Sequence, residues 1–347
     1  MSFGQPVASL EIQVALSWAV RRALESREPS VSAERAADAM LRMLGADEVR
    51  WQMLPGWGAS GESVPVAQED EVEATLRLAQ WRARRELRRS AADPLPEWDP
   101  RVRVGLGRAL AAAAEAPSIR CVGFRLFLRA LLVECASPGE WSEFIRRFHL
   151  RPDEEFLLDG TPPVSSASAF LKPVRKGDPV LSALAAPAVL RGEAVQQAVR
   201  GGCALVGQAH AVMAVCALDH LMAITRVRLA DDAVATNGGA RALAELGVTY
   251  PDVKNFAMDL SPGPAEIPRE DKAWRAGRGD PPFGADLYHA AGEASRLASE
   301  LGHRYAGSSH LLFAIASDAT GPGAQMLRAY GADPSTLAMR LGRELAP

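Results

Sequence analysis

Two serines stand directly before a histidine near the end of the chain, at Ser308, Ser309 and His310. A hydroxyl beside an imidazole could act as a nucleophile with its general base, as in a hydrolase. The apolar residues that follow predict a helix that starts here, and neighbouring helical residues point about 100° apart. His310 would therefore not face Ser309. We favour Ser308 as the helix cap and His310 as a half-buried structural histidine, with a hydrolase of unrecognised type as the alternative.

Phosphate chemistry has one weak candidate, the spacing of Gly202 and Gly207. A nucleotide-binding loop of this spacing needs a lysine directly after its second glycine, and the chain has Gln208 there. No glycine–lysine pair occurs anywhere in the sequence. The histidines have no second ligand at a spacing typical of metal sites. We therefore expect a protein that is not an enzyme and that has no metal and no cofactor.

Composition indicates a globular protein made of helices. The 347 residues are 48% hydrophobic and 23% charged, with a net charge of −3 and only 6% aromatic residues. We therefore expect no nucleic-acid partner, and we interpret the basic stretch Arg82–Arg89 as a solvated helix face. The first residues show no signal-peptide pattern, and no run approaches the roughly twenty apolar residues of a membrane span. We expect a cytoplasmic protein with no membrane partner, whose cysteines are reduced.

The last sixty-odd residues are divided into four short helices. An apolar stripe with spacings of four and three residues predicts a helix that ends before Gly302, where a residue without a Cβ suits a left-handed cap. After the helix that begins at Ser308, a Gly-Pro-Gly loop leads to a third helix, which stops at Gly331. Asp333 and Pro334 open the fourth helix as its N-cap and its first helical residue.

The turn that carries His310 recurs one hundred residues earlier. Val206–Val215 has the same order of β-branched residue, glycine, two further positions and apolar helix, and it places His210 at the position of His310. Two fainter copies lie at Val31–Met40 and Val122–Leu131, each with a helix before and after. Since a unit of about sixty residues buries little core alone, the four copies predict repeats that pack together.

The stretch Phe283–Leu345 resembles the repeat of the Clp N domain, the amino-terminal module of the Clp unfoldases. The features that carry the resemblance are the Leu-Gly-His turn at residues 301–303, the small residues before His310, the Gly-rich loop and the capped last helix. The resemblance implies an all-α fold of two tandem pseudo-twofold Clp N-type domains, each of two short-helix repeats. The ATPase modules of the unfoldases have no counterpart in the sequence.

Four repeats of this kind imply two domains in tandem. We place a divergent domain at 1–159 and a better-preserved one at 179–347. The segment 160–178 is rich in proline and serine and is predicted to be the linker. A charged helix at about 66–90 is predicted as an insertion in the first domain.

The resemblance also implies where a ligand would bind. In the family, the start of the second helix of each repeat helps to form ligand sites, commonly with an acidic residue before the histidine. In some members this acid contributes to binding phosphorylated arginine. The matching positions in this chain are Glu34, Arg125, Ala209 and Ser309. An aromatic residue near a groove between repeats matches Phe283. The candidate ligand-binding residues are Phe283, Gln208, His210, Ser308, Ser309, His310 and Glu34.

A function follows from the same resemblance. A Clp N-type module without its motor can still hold adaptors, exposed peptide segments of substrates, or Clp-targeting cyclic peptides. We expect a non-enzymatic binding protein that modulates Clp-dependent proteolysis or acts as a decoy for such ligands. The alternative is a general protein-interaction scaffold that uses the charged helix at about 66–90 as its surface.

Overall fold

The computed structural model of the chain has two compact units, Met1–Pro163 and Val164–Pro347. It describes residues 6–43, 68–115, 121–123, 126–128, 130–131, 180–225, 227–256 and 276–346. The expected linker at 160–178 and Arg125 lie outside the described residues. Helices dominate the described part of both units, which confirms the all-α prediction. None of these helices is both long enough and apolar enough to cross a membrane.

In the first unit, two halves share the order strand, helix, strand, helix. The first half consists of β1 Val7–Ala8, α1 Leu10–Glu25, β2 Ser30–Val31 and α2 Ala33–Met43. Between the halves lies α3, Glu69–Glu86. The second half consists of β3 Glu97–Trp98, α4 Pro100–Ala114, β4 Cys121–Val122 and the helical residues that follow β4.

The short strands of the first unit pair across its halves. β1 runs parallel to β4, and β2 runs parallel to β3. The strand before the first helix of each half therefore pairs with the strand before the second helix of the other half. This exchange is the pattern that a pseudo-twofold relation between two repeats produces.

The helix α3 is part of the core of the first unit as well as of its surface. Its Val72, Leu76 and Ala79 are buried in the same hydrophobic cluster as Ile12 and Leu16 of α1. The buried positions recur at spacings of three and four, as on any amphipathic helix, and charged residues alternate with them. Only the outer, charged face of α3 could serve the predicted scaffold role.

The second unit also has two halves, with longer connections between its helices. The first half consists of β5 Val180–Leu181, α5 Ala186–Arg200, α6 Gln208–Thr225, β6 Arg228–Leu229, α7 Asp231–Val234, α8 Gly239–Glu245 and α9 Tyr250–Val253. The second half consists of α10 Ala285–Glu300, α11 Ser308–Ser317, α12 Pro322–Ala329 and α13 Pro334–Leu345. The helix α5 packs along α6, while α11 packs against α10 and α13. β5 runs parallel to β6.

The helix ends in the second half follow the punctuation of the sequence. Gly302 and Gly331 have φ angles of 71° and 78°. A residue without a Cβ adopts these left-handed values without strain, and both glycines directly follow a helix end. Asp333 caps α13, because its carboxylate accepts a hydrogen bond from the Thr336 N–H at 2.9 Å. The predicted glycine ends of α10 and α12 and the predicted Asp333 cap are confirmed.

Candidate functional site

The helices α6 and α11, which carry the predicted histidines, begin with the same turn. The Gly207 N–H donates to Nδ1 of His210 at 3.0 Å, and the Gly307 N–H donates to Nδ1 of His310 at 3.1 Å. An accepting Nδ1 has no proton, so each neutral imidazole carries its proton on Nε2. The side chains thus close the first helical turn, as Glu or Gln does in a capping box. The predicted cap at Ser308 is wrong, because Ser308 is the first helical residue and Gly307 precedes it as N-cap.

Burial keeps both imidazoles neutral. His310 is 0% exposed, where a half-buried side chain was predicted, and His210 is 4% exposed. Loss of hydration lowers the pKa of His210 from 6.5 to about 4. The pKa of His310 is also lowered to about 4, first by loss of hydration and then by the neighbouring His303. Nε2 of His310 donates a hydrogen bond to Nδ1 of His303, 2.9 Å away.

The Ser-Ser-His sequence does not assemble a nucleophile with a base. Both nitrogens of His310 are engaged, one by a backbone N–H and the other by His303. Ser308 Oγ accepts a hydrogen bond from the Gly239 N–H at 3.3 Å, and Ser309 is 1% exposed. General-base catalysis needs an imidazole nitrogen within hydrogen-bond reach of the hydroxyl. The geometry therefore gives no support to the hydrolase alternative.

The backbone amides at the two helix starts bond within the chain. At the start of α6, the Gln208 N–H donates to Asp286 Oδ2 at 2.8 Å. At the start of α11, the Ser308 N–H donates to Asn237 Oδ1 at 2.9 Å, and the next N–H donates to the Thr236 carbonyl at 3.1 Å. Such amides attract anionic ligands when they are open. In this unit they already have acceptors.

The side chain of Gln208 connects three parts of the second unit. Its amide nitrogen donates to the Asp286 carbonyl at 3.2 Å and to Asp318 Oδ2 at 3.1 Å. Its Oε1 accepts a hydrogen bond from the Gly323 N–H at 3.3 Å. The residue is 2% exposed. These bonds hold the start of α6 against the starts of α10 and α12.

Phe283 is buried in the same region. It is 1% exposed and forms a parallel bridge with Val206. Its ring meets that of Tyr288 edge-on, with the ring centroids 6.1 Å apart. All six candidate residues of the second unit are at most 4% exposed. Ligand contact by these residues stays a prediction, and the structure shows them packed and bonded within their own unit.

An apolar cavity opens between α5 and α10, beside the turn before α11. Its volume is about 310 Å³, which is at the lower end for small-ligand pockets. Gly307 and Leu311 line it, while the candidate residues between them lie buried behind its wall. Leu184 is 66% exposed. The apolar lining includes Leu184, Ala188, Leu190, Ala294, Ala306 and Leu311.

Residues 233–347 match the family model of the Clp repeat (R) N-terminal domain, in two overlapping stretches at 233–328 and 283–347. The matched residues all lie in the second unit. This match confirms the resemblance seen in the sequence, and it supports a Clp-related role in protein interaction. No curated protein and no solved structure matches the chain.

One candidate residue, Glu34, lies in the first unit. It is in the first turn of α2 in the first unit and is partly exposed. Its Oε1 accepts a hydrogen bond from Nη2 of Arg101 at 3.3 Å, and the same guanidinium bonds Asp99, the cap of α4. Glu34 thus links the two halves of its unit. Within the described residues of either unit, no three His, Cys, Asp or Glu side chains come together as metal ligands.

The cavity of the second unit has no direct sign in the sequence pattern. Its alanines and leucines have the helical spacing of ordinary core residues. A comparison of the two halves of the unit could have found it. At an offset of one hundred residues, Ala183 corresponds to Phe283 and Ala188 corresponds to Tyr288. Small residues in one half, at the positions of aromatic residues in the other half, indicate unfilled space beside the small residues.

Proposed function

We propose that the protein binds a peptide segment in the cavity between α5 and α10 and that it does so without catalysis. The observation that carries this proposal is the apolar cavity of about 310 Å³ in the unit that matches the Clp repeat model. Leu184, which lines it, is 66% exposed. Because covering a leucine side chain gains about 1.5–3 kcal/mol, an exposed leucine beside an apolar cavity favours a ligand that covers both.

The proposed ligands are those of Clp N-type modules. They are adaptors, exposed segments of substrate proteins, or Clp-targeting cyclic peptides. A cytoplasmic chain that holds these ligands, and whose sequence has no lysine placed for nucleotide binding, would compete with an unfoldase and act as a decoy. If the first unit binds as well, a bivalent ligand would gain from the raised effective concentration.

Calorimetric titration of the full chain tests the binding site. The two ligands are a Clp-targeting cyclic peptide and an unfolded, arginine-phosphorylated protein. Ser295, an exposed residue of α10, lines the cavity, so Ser295→Trp places a large ring there. Ser299→Trp is the matched control, because Ser299 is exposed one turn further along the same helix and does not line the cavity.

We expect at least one of the two ligands to bind. Ser295→Trp should weaken that binding about tenfold or more, while Ser299→Trp leaves it unchanged. The proposal would be contradicted if neither ligand gave a heat of binding, or if the two variants bound a ligand equally well.

A proteolysis assay tests the decoy role separately. The full chain is added to a reaction of a Clp unfoldase with its protease and a substrate that needs the ligand. A decoy lowers the degradation rate as its concentration rises, and Ser295→Trp relieves this inhibition. A rate that does not change at saturating chain would remove the decoy role and leave the binding role in place.

A further inference from the structure

The two halves of the second unit correspond at an offset of one hundred residues from their first strands to the starts of α6 and α11. The helices α5 and α10 end in the same way. The Cys203 N–H donates to the Ala198 carbonyl at 2.9 Å, and the His303 N–H donates to the Ala298 carbonyl at 2.8 Å. The glycine–histidine caps of α6 and α11 repeat as well. Residues 183–210 can therefore be matched one by one to residues 283–310.

The turn before α6 is covered by an extended segment of the same chain, residues 282–284. Val206, just before α6, donates its N–H to the Pro282 carbonyl and accepts a hydrogen bond from the Gly284 N–H, both at 2.9 Å. Phe283 lies between these two partners and is 1% exposed. The ring of Tyr288 packs on it edge-on. The Phe283 side chain, held by this short parallel bridge, thus covers the turn before α6, which we call the sealed side.

The turn before α11 has no such aromatic bridge among the described residues, and Asn237 and Thr236 accept the N–H groups of Ser308 and Ser309 there. Ala306 corresponds to Val206, but it is only partly buried where Val206 is 0% exposed. Among the described residues, Ala306 has no strand partner. The two aromatic residues of the sealed side are replaced by Ala183 and Ala188, and the strand before α5, Val180–Leu181, pairs with β6 instead. The cavity between α5 and α10 is the space that results.

We propose that the ligand completes this symmetry with an extended segment that pairs in parallel with Ala306 and places an aromatic side chain in the cavity. The proposal rests on the proposed function, because it specifies the ligand of the same cavity. By the geometry of the Val206 bridge, the residue before the aromatic offers its carbonyl to the Ala306 N–H. The residue after the aromatic donates its N–H to the Ala306 carbonyl. Addition of a strand to exposed backbone is an established mode of peptide recognition.

Two requirements on the ligand follow from this geometry. An aromatic side chain is preferred to alanine, because its ring buries much more apolar surface. The residue after the aromatic cannot be proline or carry an N-methyl group, because its N–H is needed. A free segment does not displace Phe283 from the sealed side, since Phe283 is tethered there at a high effective concentration.

A synthetic peptide with the sequence of Gly279–Ala285, blocked at both ends, is the probe. It copies the segment that seals the other side. It is titrated into the full chain, whose isotope-labelled alanine methyl groups are followed by NMR. We expect the signals of Ala188, Ala294 and Ala306, which line the cavity, to shift on binding.

Three altered peptides test the pairing. Alanine in place of the peptide's phenylalanine should weaken binding about tenfold or more. N-methylation of the glycine after the phenylalanine should weaken it to a similar degree, because one main-chain bond is lost and the methyl group clashes. N-methylation of the last alanine is the matched control and should have little effect.

The outcomes separate this inference from the proposed function. Binding in the cavity that ignores both the loss of the ring and the methylated glycine would overturn the inference and leave the proposed function standing. The same holds if the peptide does not bind while a Clp-targeting cyclic peptide binds and is weakened by Ser295→Trp. If no ligand that binds is affected by Ser295→Trp, both are overturned.

Discussion

The two buried histidine caps should make the stability of the second unit depend on pH. The pKa of each imidazole is about 4 in the folded unit and 6.5 in an ordinary, solvated environment. The unfolded chain therefore binds these protons more tightly than the folded chain does. The stabilisation by the two neutral histidines is fully present above pH 6.5. It falls as the pH drops through that value and reaches its lowest level near pH 4. Protonation also removes the acceptor that each glycine N–H needs.

The size of the effect follows from the pKa difference. One pKa unit corresponds to about 1.4 kcal/mol, so a shift from 6.5 to about 4 amounts to about 3 kcal/mol for each histidine at full protonation. At pH 5.5, about nine in ten of the unfolded imidazoles are protonated, and each histidine has lost about 1–2 kcal/mol of this stabilisation. The two together cost the second unit about 3 kcal/mol, a large part of a typical unfolding free energy of 5–15 kcal/mol.

Hydrogen exchange followed by mass spectrometry measures this loss in the full chain. Protection is compared between pH 7 and pH 5.5 after correction for the intrinsic exchange rate, and segments from α6 and α11 report on the second unit. His210→Gln and His310→Gln should each remove about half of the pH dependence, since glutamine can accept the glycine N–H but does not titrate. His289→Gln is the matched control, because His289 is exposed on α10. A pH dependence that survives in the double variant would refute the reasoning.

Three further predictions concern helix ends and buried ties, and each is measured by calorimetric unfolding of the full chain. Arg27→Gly should stabilise the first unit by about 1 kcal/mol, because Arg27 has a φ of 56° after α1, where glycine is not strained; an unchanged or lower transition temperature would count against this. Gly302→Ala should destabilise the second unit by about 1 kcal/mol, whereas Gly292→Ala, at an exposed and open position within α10, should not; equal effects would show that the left-handed φ is irrelevant. Gln208→Ala should cost about 2–3 kcal/mol because it leaves buried polar groups unpaired, and Gln325→Ala on the surface should cost much less.

Helix ends could be predicted from the sequence because they depend on residues close together in the chain. The left-handed glycine after α10 and the Asp-Pro start of α13 each need only one local signal. The repeats could be found for a similar reason, since the turns before α6 and α11 have the same residue order. The sequence shows a histidine at the third helical position of both turns, but in α11 the capping contact is made by His310 and not by the predicted Ser308.

The candidate site could not be predicted in the same way, because its contacts join distant parts of the chain. Gln208 bonds to Asp286, and Ser308 bonds to Asn237, pairs about seventy to eighty residues apart in sequence. No local pattern shows that these partners occupy the helix starts. The full burial of His310 also depends on His303, which the turn folds back onto it. The cavity lies where the first half has alanines at the positions of two aromatic residues of the second half. A small side chain gives no signal of a cavity until the two halves are compared.

The binding site itself can be tested most directly by NMR of the full chain with isotope-labelled leucine methyl groups. A Clp-targeting cyclic peptide is titrated in, with the Ser295→Trp chain as the comparison. Leu184, Leu190 and Leu311 line the cavity, whereas Leu16 lies in the core of the first unit. We predict saturable shifts for the three cavity leucines, none for Leu16, and loss of these shifts in Ser295→Trp. Saturable binding that leaves the three cavity leucines unshifted would contradict the account.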